Sequence, residues 1–324
     1  MARRAISDQL DAALDAMLAR PGAATPAAEP EIAALLPLAT ELCDLPSPAF
    51  RARLKSALER RVSMTATATA TQPVQGMQSV TPYLVAPDAP ELVDFVKQAF
   101  DAQELGRAMG SAGGMHCDLR IGGVNLMIGG GFAYQGPSKL ASLHLYVPDA
   151  DAQYQRALAA GATSLYPPDN KPYGDREAGI LDRSGNRWFI GTHKAGPTHI
   201  PEGLGPLTAG LQVIGAAAMI EFLQRAFHAE TVQRFEATPG TVVHAKLRLG
   251  NSIIELGEAH GPWQPLPAMF YFRVADADTV YQQALAAGAT SIHEPRQQPY
   301  GERVGGVKDP FGNEWYLATP VSKG

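Results

Sequence analysis

The sequence predicts an α+β chain: two tandem domains, each of two βαβββ modules, preceded by a short all-helical N-terminal segment. Three observations carry this. A long stretch recurs 127 residues further on, each copy divides again into strand, helix and further strands, and the strands alternate between an apolar and a polar face.

Residues 1–62 space Leu10, Leu14 and Leu18, then Ile32, Leu35 and Leu36, then Phe50, Leu54 and Leu58 at helical intervals, so three short helices are expected. Pro48 suits a first helical turn. The last helix gathers Arg51, Arg53, Lys55, Arg60 and Arg61, a solvated face or a contact for an anionic protein partner. Residues 63–78, SMTATATATQPVQGMQ, have little to bury and read as a linker.

The repeat begins there. RALAAGATSLYPPDNKPYGDREAGILDRSGNRWFIGTH (156–193) aligns with QALAAGATSIHEPRQQPYGERVGGVKDPFGNEWYLATP (283–320), and VTPYLVAPDAPELVDFVKQAF from Val80 aligns with LTAGLQVIGAAAMIEFLQRAF from Leu207. Homologous domains are therefore expected at 79–194 and 206–321. Within the first, APELVDFVKQAF and DADAQYQRALAAG have helical apolar spacing, and Gly161 stops the second. Strands are expected at VTPYLVA, HCDLRIG, VNLMIG, SLHLYV, a short pair around Tyr173 and Ile180, and RWFIGT.

Composition bounds the function. Hydrophobic residues make up 45% and charged residues 18% of the 324, so most of the chain should fold, into two or three units. The 27 Lys+Arg against 32 Asp+Glu leave a net charge of -5, which supplies no general attraction to phosphate backbones or anionic lipid. With only Cys43 and Cys117, neither a disulfide framework nor a CxxC zinc site can be built in one chain. Neither an apolar signal core nor an apolar run of about 20 residues is present, so a cytoplasmic protein without nucleic-acid or membrane partners is expected.

Strand parity separates the two faces. Cys117, Leu119 and Ile121 face the helices and leave His116, Asp118 and Arg120 opposite; Leu143, Leu145 and Val147 leave Ser142, His144 and Tyr146. The second domain presents His244, Lys246 and Arg248, then Met269, Tyr271 and Arg273. Tyr83, Met127 and Phe189 join the polar side, and large apolar groups there suit a ligand cavity better than a wetted sheet. Gly210 replaces Tyr83 in the second repeat and suggests a roomier pocket there.

The paired modules, the ALAAGAT helix end, PYGDR or PYGER, and the closing DPFGNEWYLAT resemble the vicinal oxygen chelate superfamily of glyoxalases, bleomycin-resistance proteins and fosfomycin-resistance enzymes, over residues 78–321. The resemblance implies a divalent metal held by His, Gln or Glu on the first and last strands of the modules. Those positions carry Thr81, Met127, Ser142 and Phe189 in the first domain and Thr208, Glu255, Met269 and Tyr316 in the second, where Glu255 alone is a good ligand. No cofactor is therefore predicted; the metal alternative is a relocated site on His116 and His144, with Asp118 nearby. His193, His199, His228, His260 and His293 fall at ends or loops without ligand spacing and read as surface groups.

In PYGDR and PYGER, Tyr173, Arg176, Tyr300 and Arg303 are ligand candidates, Arg176 as a bidentate partner for an anion or as a structural pair to Asp182 or Glu177. Parity puts Trp188 and Trp315 under the helices, while Trp263 in GPWQPLP suits a lid or interdomain contact. GxSxG, P-loop and dinucleotide fingerprints are lacking.

The expected function is a metal-independent binding protein of the glyoxalase/bleomycin-resistance type, sequestering an aromatic or amphipathic small molecule such as an antibiotic or metabolite, as a monomer or weak homodimer. One alternative is a metal-dependent enzyme of the same superfamily: a glyoxalase-like lyase, an isomerase, a dioxygenase or a thiol transferase. Another is a ligand sensor acting through the N-terminal helices.

Overall fold

A computed structural model describes residues 71–321, apart from 73, 75–76, 110–112, 132–133 and 203. The three helices expected over 1–62, their protein partner and most of the linker lie outside the described residues. The remainder is one unit.

Four βαβββ modules follow one another. The first is β1 (Val80–Ala86), α1 (Ala89–Phe100), β2 (Gln103–Met109), β3 (Met115–Ile121) and β4 (Val124–Gly130). The second is β5 (Ser142–Tyr146), α2 (Ala150–Ala159), β6 (Thr163–Asn170), β7 (Asp175–Leu181) and β8 (Arg187–His193). The third is β9 (Leu207–Val213), α3 (Ala216–Phe227), β10 (Glu230–Thr238), β11 (Thr241–Leu249) and β12 (Ser252–Glu258). The fourth is β13 (Met269–Arg273), α4 (Ala277–Ala286), β14 (Thr290–Gln297), β15 (Glu302–Lys308) and β16 (Glu314–Pro320). None of the helices among the described residues is long and apolar enough to cross a membrane.

The outer strands β2, β6, β10 and β14 had no counterpart among the strands read from sequence. They are exposed along most of their length, so no buried face imposes an alternating pattern on them. The pair expected around Tyr173 and Ile180 resolves into a turn at Tyr173 and strand β7.

The sheets do not follow the repeats. The first and fourth modules form one eight-stranded sheet, order β14-β15-β16-β13-β1-β4-β3-β2, and the second and third form another, β10-β11-β12-β9-β5-β8-β7-β6. The seams are antiparallel: Thr81 faces Tyr271 between β1 and β13, and Ser142 faces Gly210 between β5 and β9.

Helical packing runs the other way, within each repeat. Gln153 on α2 bonds the Ala99 carbonyl of α1, and Gln283 on α4 bonds the Arg225 carbonyl of α3 at 2.9 Å. Phe100 of α1 lies against Trp188 of β8, ring centroids 4.5 Å apart, and Phe227 of α3 against Trp315 of β16 at 4.9 Å. Both tryptophans are fully buried, as parity required, and each such ring pair adds about 1 kcal/mol beyond area burial. Each repeat thus holds its two modules together through the helical core, while each sheet joins one module from either repeat.

The recurring DxxGN(R/E)W segment makes the turn between the last two strands of a repeat. Asp182 accepts from the Asn186 backbone and side chain and from Trp188 Nε1, each at 2.9 Å, while Asn186 Oδ1 takes the Ala141 amide. Asp309, Asn313 and Trp315 repeat this against Ala268. The motif is a buried polar clamp fixing the entrance to β5 and β13.

Candidate functional site

Each sheet carries a cavity on the face opposite its helices. The first encloses about 480 Å³. Met127 of β4, Tyr271 of β13 and Val304 of β15 form a buried apolar floor, against which Tyr83 and Tyr316 pack. A hydrogen-bonded chain crosses one wall: Tyr83 Oη lies 2.8 Å from His116 Nδ1, and His116 Nε2 lies 3.2 Å from Asp118 Oδ2. A carboxylate accepts, so Nε2 donates to Asp118 and, in the neutral ring, Nδ1 accepts the hydrogen bond that the Tyr83 hydroxyl donates. Burial, then Asp118, hold the Tyr83 phenol well above its ordinary range.

The opposite wall pairs Tyr271 Oη with Glu302 at 2.5 Å, and Arg273 with the same carboxylate at 3.3 Å. Lys139 meets Glu314 at 2.5 Å. Tyr300 and Arg296 stand at the exposed mouth, and Arg296 makes no ion pair among the described residues.

The second cavity, about 690 Å³, is larger and carries more charge at its floor. His144 of β5 places Nδ1 3.2 Å from Glu255 Oε2 and Nε2 3.5 Å from Glu177 Oε2. His244 of β11 approaches the other Glu255 oxygen at 3.4 Å. Asp175 and Glu177, both buried, project from β7; Asp175 accepts from Tyr146 at 2.6 Å and pairs with His193 at 2.5 Å, while Glu177 Oε1 accepts from Tyr166 at 2.7 Å and Tyr173 at 2.9 Å. Burial opposes charge on both His144 and Glu255. Their mutual attraction, joined by Glu177 on one side and His244 on the other, outweighs it, so the His144 pKa is raised and that of Glu255 lowered.

Most sequence-chosen residues thus line one cavity or the other. Tyr83, His116, Asp118, Met127, Met269, Tyr271, Tyr300 and Tyr316 surround the first; Ser142, His144, Tyr173, Phe189, His244 and Glu255 surround the second. The larger cavity is the one containing Gly210. Trp263 does span the repeats, its ring 5.5 Å from Phe189 and 6.3 Å from Tyr166.

Four expectations are corrected. Arg176 and Arg303 face neither cavity: each guanidinium is held by an acid on the first turn of the covering helix, Asp151 and Asp278, rather than by Asp182 or Glu177. His116 and His144 lie in different sheets and cannot share an ion. His193 is no surface group, since it sits on Asp175, and His293 lines the first cavity against Tyr316. Each cavity is built by both repeats instead of lying within one.

Asp175, Glu177 and Glu302 were missed. Counting parity back from the buried Ile180 would have found the first two, because that count puts Arg176 beside the helix and the acids in the cavity.

Comparison with known proteins agrees with this architecture. The family model for the glyoxalase/bleomycin resistance protein/dioxygenase superfamily matches residues 76–190 and again 204–317. The chain belongs to that superfamily. An uncharacterised protein of Mycobacterium bovis is 38% identical over 124 residues, which is 35% of this chain and 82% of that protein. Among solved structures, a variant of glyoxalase I from Zea mays superposes with a TM-score of 0.61 at 13% identity, over 79% of this chain and 96% of that one. A putative dioxygenase from Bacillus subtilis gives 0.50 at 12%, over 75% and 85%. At these identities the likeness is one of fold.

The superfamily's strand-end metal positions can now be grouped by sheet. The first sheet brings together Thr81, Met127, Met269 and Tyr316; the second brings together Ser142, Phe189, Thr208 and Glu255. The Thr81 and Ser142 hydroxyls are buried without hydrogen-bond partners, but a neutral hydroxyl with thioethers or aromatic rings does not make a divalent site, nor does one carboxylate. The residues at these positions do not fit the metal.

Proposed function

We propose that this superfamily member binds a small aromatic or amphipathic molecule in the first cavity, without a metal ion at the strand-end positions, and sequesters it as antibiotic- or metabolite-binding relatives of its fold would. The observation carrying this reading is the floor itself: where a metalloenzyme would place ligands, Met127, Met269 and Tyr316 stand beside Tyr83 and Tyr271. Aromatic faces and thioethers suit a planar apolar guest, and the wall hydroxyls and Arg296 would orient its polar end.

The test is titration of the full chain with a panel of planar aromatic compounds, beginning with 8-anilinonaphthalene-1-sulfonate, by fluorescence and calorimetry. Micromolar binding that falls about tenfold in Tyr316→Ala, and disappears when Met127→Trp fills the floor, is expected. Equal affinity in all three proteins would reject the first cavity as the site.

A second reading, a metal-dependent lyase, isomerase, dioxygenase or thiol transferase, draws support from the ionisable cluster around His144 in the other cavity. It requires turnover that Glu177→Gln abolishes and Met127→Trp leaves intact.

A further inference from the structure

We infer that the second cavity holds one divalent first-row transition ion on His144 Nε2, Glu177 and Asp175, a site on β5 and β7 distinct from the superfamily's strand-end positions. Candidate ligand atoms of the three residues lie within 4.8 Å of one another. The Nε2 to Glu177 Oε2 separation of 3.5 Å is already close to the roughly 3.3 Å edge of a tetrahedron with bonds of about 2.0 Å. One imidazole and two carboxylates are a borderline-to-hard donor set, suited to zinc, manganese, iron or cobalt.

Three independent features support an ion. First, His144 is oriented from behind: Nδ1 faces the Glu255 carboxylate, which accepts, so Nδ1 keeps a proton and Nε2 is the nitrogen left for an ion or a second proton. This is the carboxylate–imidazole arrangement that aims a metal-bound histidine. Nε2 itself is buried and makes no hydrogen bond. Second, hydrogen bonds hold both carboxylates in place. Tyr166 and Tyr173 both occupy Glu177 Oε1 and leave Oε2 toward His144, while Tyr146 holds Asp175 Oδ2 and His193 holds Oδ1. Third, the space between them is kept open by a glycine. A Cβ on Gly191 of β8 would stand 3.1 Å from His144 Nε2 and 3.8 Å from Asp175 Oδ2. The competing occupant is a proton on Nε2, making an imidazolium paired with Glu177.

The experiment uses the full chain, stripped with chelator, dialysed against Zn(II) or Co(II) and desalted. One retained ion per chain by mass spectrometry is expected, with visible d–d absorption for Co(II). Glu177→Gln should weaken binding at least 100-fold. Gly191→Ala alters no ionisable group, yet should have a similar effect by filling the space. Glu255→Gln should weaken binding about 10- to 100-fold and keep the Co(II) spectrum, as befits a positioning residue. His116→Ala, in the other cavity, should change nothing. Circular dichroism of each variant separates lost binding from lost fold. No retained ion in the wild-type chain, or retention undiminished in Glu177→Gln and Gly191→Ala, would overturn the proposal; loss in His116→Ala alone would move the ion to the first cavity and likewise reject it. Aromatic binding to the first cavity is read separately through Met127→Trp, so either proposal can fail without the other.

Discussion

Nδ1 of His144 and Oε2 of Glu255 lie 3.2 Å apart across the β5–β9 seam, although the two residues come from different repeats. Both side chains are largely withdrawn from water, and in the metal-free protein each favours the charged form of the other, which raises the His144 pKa and lowers that of Glu255. Removing the imidazole leaves Glu255, Glu177 and Asp175 buried together without it. Breaking such an arrangement costs about 3–5 kcal/mol, so metal-free His144→Ala should lose that much stability in urea denaturation. Glu255→Gln keeps the shape and removes one of three acids around the histidine, and should cost less than half as much. A loss below about 1 kcal/mol in His144→Ala would show that the cluster is solvated.

The division of labour between core and sheets predicts how a single repeat behaves. A fragment of residues 71–194 retains the α1–α2 contact and the Phe100–Trp188 pair, yet leaves β1 and β5 without their seam partners. Two unpaired edges invite a second copy, and a two-fold dimer pairing β1 with the partner's β5 satisfies both at once. Light scattering on the purified fragment should report a dimer or larger species. Coexpression with residues 204–321 should give a one-to-one complex. A stable monomeric fragment would contradict this.

Much of this organisation was legible in the sequence, and the boundary of legibility has a physical origin. The helices within the repeats and the buried tryptophans follow from apolar spacing, because each must bury one face against the same core. The choice of seam does not. After duplication β1 can face either β5 or β13, and both pairings satisfy the same alternation of Leu84 inward and Tyr83 outward. The site residues divide in the same way. His144 and Tyr271 were readable because their strands carry unbroken apolar partners, Leu143 and Leu145, Phe270 and Phe272. Asp175 and Glu177 were obscured by Arg176 between them, whose guanidinium suggests an anion site until Asp151 is seen to hold it.

The clamp at the end of each repeat gives a stability prediction. Burial raises the Asp182 pKa, opposed by the hydrogen bonds from Trp188 and Asn186. Asp182→Ala leaves the Trp188 indole N–H and the Asn186 donors buried and unpaired. At about 1–3 kcal/mol for each stranded group, with partial relaxation, the loss should reach about 3 kcal/mol. Asp309→Ala should cost about as much or slightly more, since its contacts to Asn313 and Trp315 are the same and its carboxylate also takes the Phe311 amide. Chemical denaturation of both variants provides the check, and a difference above about 2 kcal/mol between them would argue that the clamps are not equivalent.

Stability should also fall on the alkaline side. Burial pushes the fully buried Cys117 thiol up to about 11, with Glu104 adding to the effect, and burial pushes the Tyr316 phenol up to about 12. Each group binds its proton more tightly in the folded chain than in the unfolded one. Their contributions are therefore complete below the unfolded values, 9.0 for the thiol and 10.0 for the phenol, and are lost as pH rises through the folded values. The window is pH 9 to 12, and the thiol's part is on the order of 2 kcal/mol. Urea midpoints measured at pH 8, 10 and 11 should fall steadily in the wild-type chain and less steeply in Cys117→Val, which keeps an apolar group against α1. In a Cys43→Ser background, where Cys117 is the remaining thiol, a disulfide reagent at pH 8 should react only as fast as the protein opens, because a buried thiol presents almost no thiolate. Rapid labelling at pH 8, or the same slope in Cys117→Val as in wild type, would remove the thiol from this account and leave the tyrosines to carry the alkaline loss.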